Sequence, residues 1–427
     1  MKVKLWHWLL LFILLGFVYS YLFFSQLNYP IFGADGDGYY AYLPALIINN
    51  ELDSLNPHHY ESHHDFLPYP AFNLWEETGK YFDKYPPGTA VFLLPMFLLA
   101  CFFSFLSGLP IDGYNDIFQY FVGLSAPIFL LLGLFLIYSI YRKWFSKRIV
   151  ILSLLSLLLA TNLLSYTVFN PIFSHVYTFS VISLSLYLTL KWHRKPQSSF
   201  LSLCLGLSFG LSFLVRNTNI LILVFWLLYH VYSLSSLKQK IKLLVKNYKS
   251  LGLIILAMFL AASPQFLYHH SITNQWWVFS YPQEGFNFLD PAWYGVLFSP
   301  RRGLFFWAPV LLISGLSIFE YRKYKRWFLA GLVYLVLQTY FIASWHQWWY
   351  GDAFGHRAFI DSFPMITLFF MAGLKVIIKR RLKLLAYLYI SICSILNIYL
   401  MIQYWIGKLP RDHVTIKSFL RVLGEGG

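Results

Sequence analysis

Eleven apolar runs, each close to the length of a membrane-crossing helix, constrain this chain more than any other feature. They lie at about 5–24, 118–140, 149–168, 172–190, 199–214, 218–234, 249–267, 303–319, 327–345, 358–376 and 383–403. A helix needs about 20 apolar residues to cross the hydrocarbon core, where every backbone N–H and C=O must find its partner within the protein. At 58% hydrophobic and only 12% charged over 427 residues, the chain has more apolar surface than a soluble core of this size can absorb. The expected fold is an all-α polytopic membrane protein with about 11 transmembrane helices plus outer juxtamembrane helices, a single membrane domain over 1–427.

The basic residues give this bundle a direction. They cluster at Arg142-Lys143 with Lys147-Arg148, at Lys191 with Arg194-Lys195, and at Lys238, Lys240, Lys242 and Lys246. Two more clusters follow, Arg322-Lys323 with Lys325-Arg326, and Lys379-Arg380-Arg381. Strict alternation puts all five on one side, which the positive-inside rule makes the cytoplasm. Lys2 and Lys4 put the N-terminus there too. No small-residue cleavage site follows the first run, so a retained anchor is expected. The net charge of +15 is thus an inner-face bias rather than a continuous nucleic-acid surface, and no nucleic acid is expected as partner. Cys101, Cys204 and Cys393 sit in apolar stretches without CxxC spacing, which implies neither disulfide nor thiolate metal site.

One further apolar run, about 89–107, conflicts with this parity. A full crossing would put Lys2 and Lys4 opposite the five clusters, so the run is expected to be re-entrant or to lie along the outer interface. Pro86-Pro87 suits its helix start. The stretch 25–117 then becomes a large first outer loop with interfacial helices; 268–302 and 345–357 form the second and third, and 404–427 a short tail. Long loops gathered on one face point to a working surface there.

Five constellations on that face could carry chemistry. The first is the acidic turn Gly33-Ala34-Asp35-Gly36-Asp37-Gly38, which suits a helix cap, a general base or a metal ligand. Lys84, in Lys84-Tyr85-Pro86-Pro87-Gly88, is either an interfacial lysine or a phosphate contact at a helix start. His58, His59, His63 and His64 have metal-donor side chains, with Glu61 and Asp65 beside them, but their spacing matches no zinc motif and favours solvated loop histidines. Arg216, Arg301, Arg302 and Arg357 stand at outer helix ends against the charge rule, suiting lipid headgroups or bidentate phosphate recognition. Trp345, Trp348 and Trp349, beside His346 and Asp352, fit an interfacial belt or a sugar-stacking wall. Mid-depth ionisable residues are nearly absent from the runs, which weighs against an ion-coupled carrier.

These pieces, in their order along the chain, resemble the bacterial members of the GT-C superfamily. They are Asp35 to Pro44, Lys84 to Gly88, Asn170 to His175, Val215 to Asn219, Tyr281 to Phe286, Leu297 to Phe305, and Trp348 to Arg357. The superfamily comprises polytopic glycosyltransferases that use polyprenyl-phosphate sugars, related to protein mannosyltransferases and aminoarabinose transferases. The resemblance implies a large first outer loop, a multi-pass protein of the bacterial inner membrane, and an aspartate after the first helix as catalytic base. Its alignment favours Asp35, with Asp37 as a second ligand or orienting carboxylate.

The expected function is inverting transfer of a sugar from a polyprenyl-phosphate donor to an acceptor hydroxyl (glycan, lipid or protein) at the outer face. Lys84, Arg216, Arg301, Arg302 and Arg357 are the candidates to bind the leaving phosphate, with Glu284, Trp348 and Trp349 as further substrate contacts. No nucleotide cofactor is required; a divalent metal on Asp37, Glu284 or the histidine loop is the one cofactor the residues suggest. The alternatives are a transporter or flippase of lipid-linked sugar or small solute, and a polysaccharide polymerase or ligase.

Overall fold

A computed structural model describes residues 5–27, 31–33, 35–52, 71–281 and 284–424; the histidine-bearing stretch 58–64 lies outside them. Helix α1 is Leu5–Phe24, and α2 is Asp35–Leu43, continued by a π-helical turn at Pro44–Ile48. A hairpin of β1, Phe72–Trp75, and β2, Lys80–Asp83, pairs Phe72 with Asp83 and Trp75 with Lys80. Helices α3 (Gly88–Leu106), α4 (Asp116–Gly123), α5 (Ser125–Tyr141), α6 (Lys147–Leu159), α7 (Leu163–Val168), α8 (Ser174–Trp192) and α9 (Ser199–Val215) follow. Next come α10 (Ile222–Leu228), α11 (Leu234–Lys246), α12 (Tyr248–Thr273), α13 (Trp293–Phe298), α14 (Leu304–Trp307) and α15 (Tyr321–Ser344). The chain ends with α16 (Phe363–Lys379), α17 (Lys383–Trp405) and α18 (Ile416–Gly424). The protein is an all-α polytopic membrane protein.

Seven helical segments among the described residues are long and apolar enough to cross a membrane, and two shorter apolar ones lie at Ser199–Val215 and Asn217–Leu228. The remaining expected runs depart from a plain apolar helix for local reasons. The run 149–168 breaks between α6 and α7, where polar side chains take up freed backbone groups. Thr161 donates to the Leu157 carbonyl at 2.5 Å, and Asn397 donates to the carbonyls of Leu159 and Thr161 at 3.0 and 2.9 Å. Helix α8 is less apolar because its face is rich in Ser and Thr, which is tolerable inside a bundle when hydroxyls bond back to carbonyls, as Ser183 does to Phe179. The run 303–319 becomes α14 and a 3-10 helix, Pro309–Glu320, lying against α16.

Close packing holds the centre. Gly206 and Gly210, four residues apart on α9, let it approach α12 so nearly that a Cβ at either would strike the carbonyl of Ile254 or Met258. Helix α16 is central, with almost every residue buried.

Helix α3 is one of the seven segments long and apolar enough to cross a membrane, and it packs along α4 and α5. Gly88 abuts the Leu214–Val215 backbone at the C-terminus of α9, where a side chain has no room. Further along, Phe97 meets Phe118, Phe103 stacks on Phe121 at 4.9 Å, and Asn115 donates to Ser104. These contacts are with α4 and its N-cap, while Trp8 of α1 marks the other end of the same helical column against Tyr138. The hairpin docks on the last turns of α12, through Thr78 to the Ile272 carbonyl and the Asp83 N–H to the Tyr268 hydroxyl. It thereby carries Lys84 and Tyr85 to the end of the bundle that holds α2.

Candidate active site

Gly33, at φ +144°, turns the chain into α2 in a conformation that side chains resist, and places Asp35 and Asp37 in the helix's first turn. Asp35 points across to Arg357, which opens the 3-10 helix Arg357–Ser362; their Oδ2 and guanidinium nitrogen lie 2.8 Å apart. Its other oxygen accepts a 2.8 Å hydrogen bond from Tyr85. Tyr85 is itself fixed, because its N–H donates to Asp83 and its carbonyl accepts from Tyr42 at 2.6 Å. Both members of the Asp35–Arg357 pair are about nine-tenths buried.

A second buried charge group adjoins the first. Arg216, at the C-terminal end of α9, lies 3.2 Å from Asp361 and 3.0 Å from Nδ1 of His175, which is 3.4 Å from Asp361. Burial works against the charge on Arg216, but the Asp361 carboxylate outweighs it and raises the guanidinium pKa. Tyr39 sits between the groups: its ring packs on Tyr85 at 4.8 Å and its hydroxyl accepts from Ser174. Burial pushes its phenol up to about 12, against the pull of Arg216, so it stays neutral. Lys84 pairs with Glu284 at 2.9 Å and lies 5.3 Å from the Tyr281 ring, which meets Tyr85 edge-on.

Arg301 and Arg302 are engaged differently. Arg301 makes a bidentate pair with Asp412 at 2.9 and 2.8 Å and lies 3.7 Å over the Trp349 ring. Arg302 is wholly buried and donates to the carbonyls of Arg301 and Arg411. Both fasten the segment after α17 to the connection between α13 and α14. Trp348 packs on Gly295 and meets Trp349 edge-on at 5.7 Å.

Asp37 lies in the same helical turn as Asp35, close enough to Asp35 and Asp83 for their charges to interact. Burial raises its carboxyl to about 7 from the ordinary 3.8, the Gly33 backbone opposes that, and Asp35 adds to it. The folded state therefore holds this proton more tightly than the unfolded chain. Its stabilising effect is complete below about pH 4 and is lost as pH rises through 7. Asp37→Asn is expected to leave the melting temperature unchanged near pH 3.5, below both carboxyl pKa values, and to raise stability at pH 8 by roughly 1–3 kcal/mol, after discounting for partial exposure. Thermal melts of both proteins across that range check it; parallel curves would contradict it. Among the described residues no three His, Cys, Asp or Glu side chains gather as a metal site.

Sequence reasoning singled out Asp35, Lys84, Arg216, Glu284 and Arg357, and the fold brings these together. It gave no role to Tyr85, Tyr39, His175, Tyr281, Tyr350 or Asp361. Asp361 had a usable signal, as the single carboxylate in the run 358–376. The tyrosines had none, because aromatic residues abound on this face.

The fold is similar to the crystal structure of ArnT from Cupriavidus metallidurans bound to undecaprenyl phosphate. The TM-score is 0.54 at 16% identity, over 98% of this chain and 69% of that one. The likeness is one of fold. Independently, residues 120–269, from α4 through most of α12, match the family model for dolichyl-phosphate-mannose-protein mannosyltransferase. No curated protein matches the chain significantly in sequence. In this fold the Asp35 and Arg216 groups are assembled from α2, the hairpin end, α8, α9 and the segment before α16.

Proposed function

We propose that this protein is a GT-C glycosyltransferase that transfers a sugar from a polyprenyl-phosphate donor to an acceptor hydroxyl at the outer face of the membrane, with inversion and with Asp35 as base. The observation that carries this reading is the Asp35 carboxylate held at 2.8 Å by both Arg357 and Tyr85, beside the further cations Arg216 and Lys84. The acceptor oxygen attacks the anomeric carbon as the bond from that carbon to the phosphate oxygen breaks. The hydroxyl proton passes to Asp35, and the phosphate departs on the lipid. One displacement at one carbon inverts its configuration.

The charge growing on the leaving oxygen is what Arg357, Arg216 and Lys84 would stabilise. Tyr85 keeps the Asp35 carboxylate oriented. Trp348 and Trp349 offer flat apolar faces for a sugar ring, and Arg301 supplies an outer cation beside them. The likeness of fold to ArnT bound to undecaprenyl phosphate supports the donor class. Incubation with a labelled polyprenyl-phosphate sugar tests the proposal: label leaving the lipid for an acceptor supports it, and label that stays on the lipid refutes it.

This reading places α3 along the outer headgroup level, with the N-terminus of the chain in the cytoplasm of a bacterial inner-membrane protein. Cysteines at Glu77 and Ser107, both exposed, flank α3. Both are expected to react with an impermeant maleimide from the outside of right-side-out vesicles. Labelling from opposite sides would make α3 a full span. Gly88 is unsuitable for this test because the Leu214–Val215 backbone leaves it no room for a side chain.

A further inference from the structure

At the opposite end of the bundle from Asp35, the connections between helices are almost free of acid. Among the described residues the only carboxylate there is Glu320, and Lys375 and Lys379 hold it. A cleft of about 530 Å³ opens between the α8–α9 connection and the end of α11, lined by Arg194, Lys195, Gln197, Lys246 and Asn247. No carboxylate pairs with Arg194, Lys195 or Lys246 among the described residues, and none lines the cleft. Three cations and two amides converging without a counter-charge form a concave anion site rather than a structural ion network.

Helix α11 indicates which kind of anion. Leu234, Leu237, Ile241 and Val245 repeat at helical spacing and are 80%, 39%, 54% and 68% exposed. Lys238, Lys242 and Lys246 flank that stripe. On the buried side Lys240 anchors the helix, with its ammonium 2.8 Å from the Trp226 carbonyl and 2.5 Å from His193. A helix pinned by one face, with an apolar stripe outward and lysines beside it, lies in the membrane interface. Its last turn contributes Lys246 and Leu243 to the cleft, so the cleft opens at headgroup depth.

We infer that this cleft binds the phosphate of an anionic phospholipid headgroup in the cytoplasmic leaflet, at a site separate from the proposed transfer site. The chemistry required is a phosphodiester for Arg194, Lys195 and Lys246, with acyl chains passing along the apolar stripe of α11.

The test uses the full chain in neutral detergent, titrated with phosphatidylglycerol or phosphatidylcholine and followed by native mass spectrometry. Wild type is expected to favour phosphatidylglycerol, with inorganic phosphate at equal concentration failing to displace it. The R194Q/K195Q/K246Q variant is expected to bind phosphatidylglycerol at least about tenfold more weakly. K238Q/K242Q/K249Q removes the same charge from the same side outside the cleft and is expected to lose less than about threefold. Equal losses in the two variants would overturn the site in favour of diffuse surface charge. Displacement by inorganic phosphate would overturn the lipid, and equal binding of the two lipids by wild type would overturn both. The wild-type comparison stands however the variants fold.

Discussion

Asp35→Asn is expected to lower the rate of sugar transfer by roughly 10³-fold, within the 10²–10⁴ range of a positioned general base, while the protein still folds. The amide keeps the shape and can still accept from Tyr85, but it cannot take a proton. It also no longer competes for Arg357, so affinity for the donor phosphate is expected to hold or improve as turnover falls. That split separates a lost base from a collapsed site, which would weaken binding and turnover together. Purified wild type and variant, compared for initial rate and for donor binding, decide the matter. An asparagine enzyme within about tenfold of wild type would remove Asp35 as base.

The second large effect is on stability. Asp361 is 1% exposed and lies 3.2 Å from Arg216. Replacing Asp361 with leucine leaves a largely buried guanidinium without its carboxylate, and is expected to destabilise the protein by about 3–5 kcal/mol. Removing both charges as R216M/D361L is expected to recover most of that loss, because two desolvation penalties vanish with the attraction. Transfer should stay low in the double variant if Arg216 also stabilises the leaving phosphate. Unfolding in mild detergent measures the first claim and donor turnover the second. A double variant as unstable as the single would mean that Asp361 acts through His175 rather than through Arg216.

Much of the bundle was legible because hydropathy and the positive-inside bias are local properties. The fold class and the sequence positions of the long apolar helices follow from short stretches. What stayed hidden depended on contacts between distant residues. The break at Thr161 is stabilised by Asn397, 236 residues away, and no local pattern announces that partnership. Arg301 and Arg302 looked like free outer cations in their own segment. Their engagement with Asp412 and the Arg411 carbonyl joins residues more than a hundred positions apart. Tyr85 lay inside a recognisable motif, yet only the pairing of β1 with β2 and the dock on α12 show that its hydroxyl reaches Asp35. Charge placement was therefore easier to foresee than the tyrosine framework that orients it.

The measurement that tests the central claim most directly is single-sugar transfer by the purified wild-type chain. The donor is a polyprenyl-phosphate sugar labelled on the ring, offered with a panel of hydroxyl acceptors. The account predicts that label moves to an acceptor, that free polyprenyl phosphate appears in equal amount, and that the new glycosidic bond has the opposite anomeric configuration to the donor. Retention of configuration would contradict the single displacement on which the role of Asp35 depends. Label that stays on the lipid with every acceptor, while the protein moves intact lipid-linked sugar across the bilayer, would replace the transferase with a flippase.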